Sequence, residues 1–148
     1  MYYWFNTFFI YSLLGYLFET TGNFIFDLTG NSGILNGPWT PIYGLGMIIA
    51  IVIHQKLDKK YHSKKVKNFL LFTYCIIILT ILEQIGGMLI EYFLHTTYWD
   101  YTKLMFNFGK YISLETSLLW GILVLLVINF LKPLIDKINS KIPHYLTY

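Results

Sequence analysis

Arginine is absent from this chain, cysteine and alanine occur once each, and charged residues of every kind make up only 13% of it. Each scarcity excludes something. A soluble domain carries about 25% charged residues, so a 148-residue chain that is 55% hydrophobic, with a mean hydropathy of +0.52, is not built to face water on all sides. A lone cysteine forms no internal disulfide, and Cys75 lies inside an apolar run, where it serves as a small buried hydrophobe. With Ala50 the only alanine there is no A-x-A cleavage site, and the start, Met1-Tyr-Tyr-Trp-Phe5, has no basic n-region. The first apolar segment is therefore expected to stay in a membrane rather than be removed as a leader. Gly109-Lys110 lacks the earlier glycine and the following hydroxyl residue of a Walker-type phosphate loop, which excludes nucleotide hydrolysis by that route. No cofactor is expected.

What the chain does have is four long apolar stretches, at about 3–26, 38–54, 68–94 and 112–131. A hydrocarbon core of ~30 Å takes about 20 helical residues to cross. The expected fold is accordingly all-α: one membrane domain over 1–148, a polytopic bundle of about four transmembrane helices. The second stretch is the shortest. It opens on Gly37-Pro-Trp-Thr-Pro41, and is expected to be short or broken, with proline tolerated in a first turn because its missing N–H has no intrahelical partner there. Lys132-Pro133 is expected to close the fourth helix and to begin a cytoplasmic or interfacial tail over 132–148.

Orientation follows from the lysines. Six of the eleven, Lys56, Lys59, Lys60, Lys64, Lys65 and Lys67, lie between the second and third stretches, and Lys132, Lys137 and Lys141 follow the fourth. Basic residues in short loops stay on the cytoplasmic side, which puts both termini inside a bacterial cytoplasmic membrane and leaves only Lys103 and Lys110 outside. Nucleic acid is excluded as a partner, because the aromatics sit in and beside the apolar segments rather than among the lysines. The partner expected first is the lipid bilayer.

Four glutamates fall inside these helices or at their ends: Glu19, Glu83, Glu91 and Glu115. An acid at mid-bilayer costs about 2.5–3.5 kcal/mol on insertion scales and is usually turned inward toward a partner or a ligand. Counting along the helices puts all four in the outer half, so three helices deliver carboxylates toward one side. Glu83, Gly87, Glu91 and His95 recur every four residues, a step of only ~40° around a helix, and Gly86-Gly87 leaves room for a neighbouring helix or a ligand. The expectation is a polar site for a small solute or ion; the bland alternative is a packing notch with locally bonded acids. No metal site is expected, Glu91 and His95 being the only weak candidates. Asp100, between Trp99 and Tyr101, lies where it can cap or close a site, while Tyr3 and Trp4 read as interfacial belt residues.

The order of these motifs resembles the family described as Putative ABC-transporter type IV, the CmpB-like small bacterial membrane proteins. Tyr11-Ser-Leu-Leu-Gly-Tyr-Leu-Phe-Glu19 is similar to its opening, and Gly37-Pro-Trp-Thr-Pro-Ile-Tyr-Gly44 to its Gly-Pro…Pro-Ile-Tyr-Gly element. The stretch from Glu83 to Glu91 is similar to its Glu-Tyr…Gly-Trp-Leu-Leu-Glu segment, with Gln84 in place of tyrosine and Met88 in place of tryptophan. Trp99-Asp100-Tyr101, Phe106-Asn107 and Ile112-Ser-Leu-Glu-Thr-Ser-Leu-Leu-Trp-Gly121 complete the series, Ser113 standing at a common cysteine position. The resemblance covers about 8–131. It implies an integral membrane protein associated with transport. The positions it carries over are Glu19, Gly37, Pro38, Pro41, Tyr43, Gly44, Glu83, Gly87, Glu91, Trp99, Asp100, Tyr101, Asn107, Ser117, Trp120 and Gly121.

Taken together, substrate or ion binding is expected at Glu19, Glu83, Glu91, Glu115, Tyr43, Trp99, Asp100, Asn107 and Trp120, and helix packing at Gly37, Pro38, Pro41, Gly44, Gly86, Gly87 and Gly121. The leading reading is a permease-like subunit, acting as a homo-oligomer or in a larger membrane assembly with a separate ATPase chain. Two alternatives compete with it. One is a membrane-embedded enzyme using a glutamate as general base on a lipid or apolar substrate. The other is a non-catalytic scaffold or regulator whose lysine-rich loop binds anionic lipid or an acidic protein.

Overall fold

The computed structural model describes residues 2–26 and 40–141, and Gly37 and Pro38 lie outside the described residues. Among those described, the chain is helical and has no strand: α1 (Tyr2–Phe26), α2 (Pro41–Lys60), α3 (Lys64–Leu94), α4 (Leu114–Leu126), a π-helical turn (Val127–Leu131) and α5 (Lys132–Asn139). The only sheet-like feature is a single antiparallel bridge between Asn107 and Ser113.

Among the described residues, two helical runs are long and apolar enough to cross a membrane, Lys64–Leu94 and Leu114–Ile138. Only 22% of the most apolar window of each is buried inside the protein, which is little for the core helix of a soluble fold. Their outward faces carry large apolar side chains at four-residue steps, Ile77, Ile81, Ile85 and Leu89 on α3 and Leu114, Leu118, Ile122 and Leu126 on α4. Such faces suit lipid, which is as apolar as leucine. α1 and α2 are long enough but less apolar. Asn6, Thr7, Ser12 and several tyrosines dilute α1, and the last two turns of α2 carry Gln55, Lys56, Asp58, Lys59 and Lys60.

Helix ends depart from the apolar stretches for local reasons. α2 continues to Lys60 and α3 begins at Lys64 because lysine and glutamine are good helix formers in water. Lys59 and Lys60 also complement the negative end of the α2 dipole. Lys132-Pro133 does not close the fourth helix, contrary to expectation. Ahead of the proline the ladder widens to a π turn, and the Lys132 N–H reaches five residues back to the Val127 carbonyl. A proline ring clashes with the carbonyl four residues before it. Widening the preceding turn relieves that clash, and helix resumes as α5 with proline in its first turn.

The chain divides into two compact units, Met1–Val52 with Leu126–Tyr148, and Ile53–Leu125. In the first, α1 and the start of α2 pack antiparallel through small residues. Tyr43 covers Gly15, and Gly44 lies against Phe8 and Ser12. The Thr40 N–H donates to the Ser12 carbonyl at 3.0 Å, so α2 begins level with the middle of α1 rather than at its end. At the other end of α1 the Tyr3 hydroxyl donates to Asp136 of α5 at 3.0 Å, and Asp136 also pairs with Lys132. In the second unit, Gly121 lets α4 approach Phe72 and Ile76 of α3, and the Thr80 hydroxyl donates to Ser117 at 2.7 Å.

A Cβ at Gly44 would come within 2.5 Å of the Phe8 carbonyl oxygen, a backbone atom with little freedom to move. Gly44→Ala should therefore destabilise the first unit by about 1–3 kcal/mol. The fall in Tm of the detergent-solubilised protein measures it; an unchanged Tm would mean that the helices do not approach so closely.

Candidate functional site

α3 buries one line of residues at four-residue steps, Leu71, Cys75, Leu79, Glu83 and Gly87. The spacing keeps all five on one slowly drifting face. The polar stripe seen in the sequence is thus the C-terminal continuation of an apolar stripe, and Glu83 is where the two meet. Its side chain is only 4% exposed. One turn earlier on α3, the Thr80–Ser117 hydrogen bond joins α3 to α4, and the Ser117 hydroxyl donates in turn to the Ser113 carbonyl at 2.8 Å.

Two elements bring partners to Glu83. The Tyr101 hydroxyl donates to Oε1 at 2.8 Å, and the indole of Trp120 lies beside the carboxylate and interacts with it. Trp120 is one turn further along α4 than Ser117, yet it reaches Glu83 because long helical side chains lean toward their own N-terminus. The other oxygen, Oε2, accepts no well-formed hydrogen bond and is fully enclosed.

Tyr101 is in place because the connection between α3 and α4 folds back on itself. His95 ends α3 in the left-handed conformation (φ 50°), its N–H bonding the Glu91 carbonyl. Asp100 accepts from the N–H and hydroxyl of Thr102 at 2.9 and 2.6 Å, closing a local turn. Tyr101 then donates its N–H to the Lys110 carbonyl at 2.8 Å, and the Asn107 amide bonds the carbonyls of Thr102 and Leu104 at 3.1 and 2.7 Å. α4 starts with the Ser113 hydroxyl capping the Thr116 N–H at 3.1 Å. Glu115, in the first turn, takes the Phe106 N–H at 3.1 Å.

Nearer the C-terminal end of α3, Gly87 leaves space for the Tyr111 ring, and a Cβ there would lie 2.5 Å from the ring's Cγ. The Tyr111 hydroxyl bonds Glu91, Lys110 pairs with the same carboxylate at 2.5 Å, and Trp99 packs edge-on against Tyr111 with centroids 6.2 Å apart. Outside the helices the charges hold their turns: hydrogen bonds from Thr102 keep the Asp100 carboxyl below the usual aspartate range, and the bond to Glu91 raises Lys110.

The sequence-derived site residues therefore separate into settings. Glu83, Trp120 and Tyr101 come together. Glu91 belongs to an exposed ion pair, Glu115 to a helix start, and Asp100 and Asn107 to the scaffold of the connection. Glu19 is in the other unit, within 3.5 Å of the Thr40 hydroxyl and bonded by Tyr43 at the first turn of α2, where a carboxylate meets the positive end of the helix dipole. Gly86 is half-buried on α3. No group of three or more His, Cys, Asp and Glu side chains suited to a metal ion occurs among the described residues. Sequence reasoning passed over Lys110 and Tyr111. The signal for them was available, since Lys110 is one of two lysines between α3 and α4 and Glu91 lies at the α3 end facing that connection.

The family model described as Putative ABC-transporter type IV matches residues 6–148. No curated protein and no solved structure matches the chain.

Because the folded-state acidity of Asp100 is increased, its contribution to the turn is present above the ordinary aspartate pKa and disappears as pH falls through the lower folded value. Hydrogen exchange at the Thr102 amide should accelerate in Asp100→Ala at neutral pH and stay slow in Asp100→Asn, whose carbonyl still accepts. Equal exchange rates in all three proteins would remove Asp100 from the turn.

Proposed function

The chain belongs to the Putative ABC-transporter type IV family, and from that membership and the chemistry of Glu83 we propose that it is a permease-like component of a membrane transport system. The observation that carries the reading is the Glu83 carboxylate, buried on one of the two most apolar helices and held by neutral donors only. A carboxylate there is costly unless it serves a ligand. Packing alone would be better met by the leucine that occupies the same face one turn earlier, at Leu79.

In this reading α1 and α2 cross the bilayer with the two more apolar runs, giving four spans. α2 is the short one, since it starts level with the middle of α1. The lysine-rich turn between α2 and α3 and the segment after α5 lie in the cytoplasm. The Tyr3–Asp136 hydrogen bond supports a shared face for the two ends, because it holds the start of α1 beside α5. The connection 95–113 is then external, and Glu83 lies in the outer half beneath it. Four spans are few for a complete pathway, so the working unit is a homo-oligomer or a larger assembly. In an ATP-driven system the ATPase is a separate chain, as no phosphate loop occurs in this one.

Cys75 is the only cysteine, so a Cys75→Ala background makes the topology directly readable. A membrane-impermeant maleimide should label Thr97→Cys in intact cells, and His62→Cys and Ser140→Cys only in inverted vesicles. Labelling of His62→Cys from outside would reverse the orientation. For transport, a panel of radiolabelled small solutes and ions in proteoliposomes should show uptake that Glu83→Gln abolishes and Glu91→Gln lowers less. Uptake indifferent to Glu83→Gln would discard the proposed site.

A further inference from the structure

The hydrogen bonding of Glu83 leaves an imbalance that specifies a ligand. The groups that approach the carboxylate are neutral, the Tyr101 hydroxyl, which donates to Oε1, and the Trp120 indole beside it. If the side chain is ionised, its negative charge has no counter-charge in an apolar setting. If it is protonated, the acidic hydrogen on Oε2 has no acceptor, since Oε2 is enclosed and without a partner. Neither state is completed by the protein alone. The lysines of the connection offer no counter-charge, since Lys110 is paired with Glu91 and Lys103 is exposed. On the α4 side the nearest acid, Glu115, is held by the Phe106 N–H.

We propose that Glu83 Oε2 binds one small monovalent cation, which competes with a proton for the same carboxylate. The inference rests on the reading of Glu83 as a functional site and names the class of ligand it takes. Charge balance sets the valence: one carboxylate neutralises one positive charge, and a divalent ion would keep an uncompensated charge in the apolar interior. Divalent ions also require several oxygen ligands, and no such cluster exists among the described residues. The Tyr101 oxygen, 2.8 Å from Oε1, is a second oxygen beside the carboxylate. On the side of the connection Tyr101 and Tyr111 cover this part of α3, with Trp99 packed against Tyr111.

A membrane-soluble carbodiimide reacts with a protonated carboxyl in an apolar site, so occupancy can be read as modification of Glu83. Full-length protein in liposomes, treated with dicyclohexylcarbodiimide and analysed by peptide mass spectrometry, should carry label on Glu83 that declines as pH rises. At fixed pH the label should be lost on adding LiCl, NaCl or KCl, but not choline chloride, whose cation is too large. Glu83→Gln should lack the label while keeping the helical circular dichroism of the native chain. Tyr101→Phe should keep the label and need several-fold more salt for the same protection. A Glu83 label that none of the three salts reduces would overturn the cation site and leave the acidic-site reading intact. Absence of label at every pH, with uptake indifferent to Glu83→Gln, would overturn both.

Discussion

A carboxylate cannot sit unaccompanied among leucines and isoleucines, and that constraint organises the second unit of this protein. Glu83 occupies a position on α3 where the same helical face has already presented Leu71, Cys75 and Leu79. To be tolerated there it needs donors, and α3 has none to give, because backbone N–H groups in mid-helix are already paired. The donors come from the connection, which turns back so that Tyr101 reaches in, and from α4, which leans Trp120 toward its own start. The hydrogen bonds of Asp100, Asn107 and Ser113 follow from the same demand, since each holds the backbone that carries Tyr101 or begins α4.

Small residues supply the other half of the architecture. Lipid gives helices no hydrophobic reason to associate, so close packing and polar contacts must do it. Gly15 and Gly44 do this between α1 and α2, Gly121 between α4 and α3, and Gly87 beneath Tyr111. In each case the glycine meets a large side chain or a backbone atom rather than another glycine. The small positions are sockets, and the aromatic residues of this chain are what fill several of them. The same economy explains the π turn before Pro133, which lets one continuous run keep its direction where a tight ladder would have been broken.

The four glutamates that looked alike along the sequence have different work. Glu91 is neutralised by Lys110 and Tyr111 in the open, Glu115 receives a backbone donor at a helix start, and Glu19 meets Thr40 and Tyr43 at the first turn of α2. Of these only Glu91 has a counter-charge, while Glu19 and Glu115 lie at helix starts, where the helix dipole favours a carboxylate. Glu83 has neither, since it is buried in mid-helix on an apolar face, and this difference makes it the centre of the proposed function. Spacing showed that Glu83 and Glu91 share a helical stripe. It could not show that the stripe passes from buried to exposed within two turns, because that depends on where the connection folds.

Composition and periodicity by themselves determined an all-helical, lipid-suited chain, the approximate limits of its helices, and the placement of acids on apolar segments. These are properties of local sequence: apolar run length, the 3.6-residue repeat, and the position of lysines. The roles of the acids, the half-length entry of α2 beside α1, and the passage of helix through Lys132-Pro133 were decided by tertiary structure. Each depends on which distant group arrives at a given depth, Thr40 at Ser12, Tyr101 at Glu83, or a widened turn beneath a proline. A side chain's partner is set by three-dimensional packing, and one-dimensional spacing carries no record of it.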